Sequence, residues 1–148
     1  MKKLVALVLG ALVAGVLATA AAAAVITGTS GNDALVGTNS ADTIYAKSGN
    51  DVVNGLDGND MIWGGPGRDL LYGSGGDDAI YGGRGADLIV GGPGADLLYG
   101  NRGNDVINAV DGSGTDQVFC GLGTDTAFVD AGDTVTDCET VIVTAPPS

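Results

Sequence analysis

One spacing dominates this chain. From Gly28 to Asn108 it cuts into nine consecutive nonapeptides without an insertion: GTSGNDALV, GTNSADTIY, AKSGNDVVN, GLDGNDMIW, GGPGRDLLY, GSGGDDAIY, GGRGADLIV, GGPGADLLY and GNRGNDVIN. Position six is always Asp, at Asp33, Asp42, Asp51, Asp60, Asp69, Asp78, Asp87, Asp96 and Asp105. Position eight is always Leu, Ile or Val, at Leu35, Ile44, Val53, Ile62, Leu71, Ile80, Ile89, Leu98 and Ile107. Position four is Gly in eight of the nine, with Ser40 the exception. A unit this short cannot bury an apolar face by itself, so the repeats must stack on one another.

Each nonapeptide joins a Gly-rich turn to a triplet of strand-forming residues. Gly supplies the positive φ values that tight turns demand, and Leu, Ile, Val and Tyr suit strands. In the triplet, position eight faces one side and positions seven and nine the other. Two nonapeptides then make an 18-residue coil with a strand on each side and a turn at each end. The expected fold is all-β, a right-handed parallel β-roll (a β-solenoid) over residues 25–108, with a thin aliphatic core. Gly/Asp-rich composition alone would also suit a disordered tract. Strict aliphatic positioning opposes disorder under all conditions, though not when cations are absent.

Charge then identifies the partner. After residue 24 the chain has 18 acids and four bases, a net −14, and no His anywhere. That balance excludes nucleic-acid binding through basic patches, and the lack of His excludes His-based catalysis and His-ligated zinc. In a two-sided coil, turns alternate between edges, so turn n lies above turn n+2 at about 4.8 Å. One edge stacks Asp33, Asp51, Asp69, Asp87 and Asp105; the other stacks Asp42, Asp60, Asp78 and Asp96. Bare carboxylates at that spacing repel, and calcium suits the gaps: it takes six to eight oxygens from carboxylates and carbonyls in flexible geometry, whereas magnesium insists on an octahedron. The gaps between stacked rungs allow up to seven calcium ions. The competing role for these Asp is turn capping, but a cap tolerates Asn or Ser, and the position is Asp throughout.

The pattern GGxGxDxUx resembles the hemolysin-type calcium-binding repeat, the RTX parallel β-roll. Its best matches are GGPGRDLLY (Gly64 to Tyr72), GGRGADLIV (Gly82 to Val90) and GGPGADLLY (Gly91 to Tyr99). The resemblance implies that turn carbonyls and the position-six Asp bind calcium between successive same-edge turns. It thereby adds Gly64, Gly65, Gly67, Gly82, Gly83, Gly85, Gly91, Gly92 and Gly94 to the nine aspartates as metal-site residues. Ser40-Ala41 and Ala46-Lys47 depart from the motif, so the first two coils should bind less tightly than those from Gly55 onward. Members of this family often carry a catalytic or toxin domain beside the repeats; these residues hold no such domain, and no enzymatic activity is expected.

The flanks complete the reading. Lys2 and Lys3, the apolar run Leu4 to Leu17 and the small residues Ala20 to Ala24 read as a secretory signal over residues 1–24, cut before Val25. Leu4 to Val25 is also nearly long enough for a retained anchor. Residues 109–143 are degenerate repeats and a C-terminal cap, in which Asp116 and Asp125 keep the nine-residue spacing and Cys120 and Cys138 are expected to form a disulfide, as oxidising surroundings allow. Residues 144–148 are expected to be a frayed tail. Position nine places Tyr45, Trp63, Tyr81 and Tyr99 in one outward column. Such a column either stiffens the sheet or serves as a contact face for a glycan, a wall polymer or a protein. The function expected is a secreted, extracellular calcium-binding protein that becomes rigid on binding ions. The alternative is a cell-surface or matrix adhesion module working through its aromatic face.

Overall fold

A computed structural model describes residues 22–112 and 115–144. The expected leader, up to residue 21, and the tail residues 145–148 lie outside the described residues. Fourteen strands follow in chain order among those described. The first seven are β1 (Val25–Thr27), β2 (Ala34–Val36), β3 (Thr43–Tyr45), β4 (Val52–Asp57), β5 (Met61–Pro66), β6 (Leu70–Gly75) and β7 (Ala79–Arg84). The rest are β8 (Leu88–Val90), β9 (Leu97–Arg102), β10 (Val106–Asn108), β11 (Gln117–Leu122), β12 (Thr126–Val129), β13 (Thr134–Thr136) and β14 (Thr140–Val143). Odd strands form one seven-stranded sheet in the order β1-β3-β5-β7-β9-β11-β13 and even strands form the other, every described pairing being parallel. The chain is the parallel β-roll that the nine-residue period requires.

Register keeps each repeat position on itself, with Ile44 opposite Ile62 and Ile62 opposite Ile80 on one sheet, and Leu71 opposite Ile89 on the other. Position eight is the core: Ile44, Val53, Ile62, Leu71, Ile80, Ile89, Leu98 and Ile107 are each 0 % exposed. Full burial of an aliphatic side chain contributes about 1.5–3 kcal/mol, so the core is a sum of small equal increments along the axis. Asp116 bonds to Asp96 across 20 residues where the earlier rungs are 18 apart, which is how the fold absorbs the two-residue slip after Asn108.

The strands outrun the expected triplets. β4, β5, β6, β7, β9 and β11 have six residues each, because pairing continues through positions one to three of the next turn, as in Leu56 opposite Ser74 and Gly65 opposite Gly83. Position two turns the corner with a left-handed φ. Gly takes it at Gly65 (φ 107) and Gly83 (φ 119), while Lys47 (φ 80), Leu56 (φ 77), Ser74 (φ 81) and Asn101 (φ 74) take it with a side chain. Asn54 supports two of these, its Oδ1 accepting from the Leu56 N–H at 3.1 Å and from the Ser74 hydroxyl at 2.9 Å. Position four is Gly for a second reason, close approach: a Cβ on Gly85 (φ 139) would land on the carbonyl oxygen of Gly67 in the coil beneath. Gly85→Ala should therefore lower the stability of the calcium-loaded roll by about 3 kcal/mol. Gly75→Ala, whose Cβ would meet only the Asp57 carboxylate at 3.2 Å, should cost no more than about 1 kcal/mol. Urea midpoints of the two variants in calcium check this.

The disulfide expected in the tail is present, joining Cys120 to Cys138 with their Cα atoms 5.1 Å apart. It staples the last coil to the one before it, constraining an 18-residue separation in a way that adds roughly 3 kcal/mol. β14 is the last strand among the described residues. All four residues of β14 are exposed, and Val141 and Val143, which stand opposite the buried Ala127 and Val129, have no further coil over them among the described residues.

Candidate metal centre

The stacked repeats bring the position-six aspartates into two columns, one along each edge, and one hydrogen bond repeats down both. The backbone N–H of each Asp donates to Oδ1 of the Asp one coil further on: Asp33 to Asp51, Asp51 to Asp69, Asp69 to Asp87 and Asp87 to Asp105 on one edge, at 2.8–2.9 Å. The other edge has Asp42 to Asp60, Asp60 to Asp78 and Asp78 to Asp96, at 2.7–2.9 Å. The columns also run beyond the nine repeats. Asp96 donates to Asp116 and Asp105 to Asp125, each at 2.7 Å, and then Asp133 and Glu139 supply the last carboxylates, accepting from Asp116 and Asp125. The nine-residue spacing between Asp116 and Asp125 is the sequence signal for the first two; Asp133 and Glu139 fall outside it.

The second carboxylate oxygen decides the chemistry. Oδ2 of Asp51, Asp60, Asp69, Asp78, Asp87, Asp96, Asp105, Asp116 and Asp125 is buried and has no hydrogen-bond partner. A buried charged oxygen without a partner costs several kcal/mol, and nine in two rows need a cation. The first rung of each column differs. Oδ2 of Asp33 and of Asp42 accepts the N–H of Thr29 and of Thr38 at 2.5 Å. Turn capping thus describes Asp33 and Asp42 and leaves the other rungs unexplained.

The residues fit calcium in three respects. The orphaned oxygens face the bare Cα of a position-one glycine: a Cβ on Gly64 would sit 2.5 Å from Asp69 Oδ2 and 2.6 Å from the Gly82 carbonyl oxygen. Gly82 repeats the cradle with Asp87 Oδ2 at 2.6 Å and the Gly100 carbonyl at 2.9 Å. Both donors are hard oxygens, the kind calcium takes. Among the described residues no three acidic side chains converge, so an ion held here must combine carboxylates with backbone carbonyls. Gly67, Gly85 and Gly94 let the coils approach closely enough for that, and Gly65, Gly83 and Gly92 turn the corner.

A family model describing the RTX calcium-binding nonapeptide repeat matches this chain in four copies, over residues 27–62, 54–89, 81–115 and 90–127. The chain belongs to that family. A search of curated proteins finds no match.

In this RTX roll the columnar carboxylates are strongly perturbed by burial and by one another's company. Burial pushes the pKa of Asp60, Asp69, Asp96 and Asp105 up to about 6, and that of Asp78, Asp87 and Asp116 to about 7. The backbone N–H of the preceding rung pulls each one down, and neighbouring carboxylates push it up again; burial prevails. Asp130, at the C-terminal end, goes the other way because it accepts from Gly112, Thr144 and Asp111.

The aromatic column exists and is longer than expected. Tyr45, Trp63, Tyr81, Tyr99 and Phe119 stack with ring centroids 4.7–5.4 Å apart and planes within 14° of parallel. Phe119 enters through the two-residue slip, which disguises its position-nine phase. Inside the stack each ring covers its neighbours' faces, so the column presents edges rather than flat platforms.

Proposed function

We propose that this RTX protein is a secreted, non-enzymatic calcium-binding module that folds into a rigid roll when several ions fill its aspartate columns. The observation carrying this reading is the row of nine buried, unpartnered Oδ2 atoms. Asp51, Asp60, Asp69, Asp78, Asp87, Asp96 and Asp105, with the carbonyls beside the position-one glycines, would hold the ions, and Asp116 and Asp125 extend the set. Calcium supplies the positive charge that lets these carboxylates stay ionised in a dry interior. Asp33 and Asp42, already bonded to Thr29 and Thr38, contribute least, as do the departures at Ser40-Ala41 and Ala46-Lys47. The repeats between the nine Asp offer up to seven gaps, and the two continuing rungs add one to each column.

Secretion is supported by the Lys2/Lys3-led apolar leader, the disulfide and the repeat family. Outside the cell calcium modules bind at roughly 10⁻⁴–10⁻³ M, which would keep the chain unfolded until export. The test is Asp78→Asn, set against Asp33→Asn. If Asp78 ligates, its variant should need several-fold more calcium to reach the β-sheet circular dichroism spectrum, while Asp33→Asn shifts the midpoint little. Equal midpoints in wild type and Asp78→Asn would mean that the aspartates cap turns and the proposal is wrong.

A further inference from the structure

The four bases after the leader are not scattered. Lys47, Arg68, Arg84 and Arg102 all lie on the edge that carries Asp33, Asp51, Asp69, Asp87, Asp105 and Asp125, between the odd strands and the even strands that follow them. The opposite edge has no base and adds Asp57, Asp77, Asp111, Asp130 and Asp133 to its own column. Arg84 and Arg102 are direct register partners on β7 and β9, both exposed. Like charges placed directly opposite are destabilising, and neither guanidinium has an ion pair or side-chain hydrogen bond among the described residues. They flank an open groove floored by Gly65 and Gly83 and walled by Trp63 and Tyr81.

We propose that this groove binds an acidic polysaccharide through Arg84 and Arg102, beside the edges of the stacked rings. The ring stack argues for anionic over neutral sugar. Aromatic faces are electron-rich and edges electron-poor; the faces are covered by neighbouring rings 4.7–5.4 Å away, so the outward rim favours negative charge. Tyr hydroxyls and Asn101 add hydrogen-bonding groups for sugar hydroxyls. The ring edges recur once per coil along the axis, and Arg84 and Arg102 repeat one register position on two neighbouring coils, which suits a polymer whose carboxylates also recur. Calcium would strengthen the site: the same loading that brings the all-acid edge toward neutrality makes the edge with the bases positive. This inference takes the adhesion alternative, gives it a ligand class, and rests on the proposed calcium-folded state.

The experiment uses the calcium-loaded full chain without its leader, from residue 25, with a fluorescent hyaluronan oligomer followed by anisotropy and emission from Trp63, the only tryptophan. Binding is expected, weakening with salt as charge contacts do, whereas a cello-oligosaccharide of equal length does not bind. Arg84→Ala/Arg102→Ala should weaken binding at least about tenfold with an unchanged circular dichroism spectrum and calcium midpoint, and Arg68→Ala should not. Absence of binding by a chain that shows the β-sheet spectrum, equal binding of the neutral sugar, an unaffected double variant, or preference for poly-glutamate would each overturn the proposal. A chain folded in chelator that binds equally well there, and still loses binding in the double variant, would overturn the calcium switch and support the groove.

Discussion

Calcium added to the chelated chain at neutral pH is expected to convert a disordered circular dichroism spectrum to β-sheet, and magnesium is not. Seven columnar carboxylates have pKa values of about 6 to 7 in the ion-free roll, against an ordinary value of about 3.9. Keeping one such group ionised in the fold costs about 3 kcal/mol, so a few of them offset the whole stability of a small domain, about 5–15 kcal/mol. Each calcium site filled at about 100-fold excess returns about 2.7 kcal/mol. Several sites sharing rungs along a column should give a steep transition. Trp63 emission is the second readout, since its ring stacks against Tyr45 and Tyr81 only in the folded roll. A chelated chain with a full β-sheet spectrum and an unchanged response to calcium would refute the ion-dependent fold.

Protons should substitute in part for calcium. A carboxyl whose folded pKa is raised binds more protons in the folded state than in the unfolded one, so its stability contribution is present at low pH and lost as pH rises. The window runs from the ordinary carboxylate value to the raised ones, about 4 to 7. In chelator, the chain should therefore be most stable at about pH 4 or below, weaken as pH rises above that, and lose its β-sheet signal by about pH 6 to 7. In calcium the trend should reverse, because protons compete with the ion for the same oxygens. Asp130 opposes this slightly: its pKa is lowered, and the protein loses its contacts on acidification. The check is a pair of pH titrations by circular dichroism, with and without chelator. Parallel titrations would show that the columns hold no ion.

Much of this molecule was readable from position within the repeat. The aliphatic at position eight had to be core, because a period-two triplet has only one inward side chain, and Ile44 through Ile107 are buried accordingly. The alternation of edges likewise followed from two strands per coil, and the hydrogen bonds spanning 18 residues place the aspartates in those columns. The misses have a common cause. Phe119, Asp133 and Glu139 complete the aromatic and carboxylate columns from outside the strict period; only spatial stacking reveals a rung whose sequence phase has drifted. The split between capped Asp33 and Asp42 and the orphaned rungs was equally hidden, because it depends on Thr29 and Thr38 folding back onto them.

By itself, then, the sequence determined the period, the core row, the two Asp columns and the demand for a cation, since all of these follow from local residue chemistry repeated at fixed spacing. Tertiary structure alone decided which carboxylate oxygens lack a partner and which ring faces are hidden. Those properties belong to residues a whole coil apart, and only the closing of each coil onto the next brings them into contact.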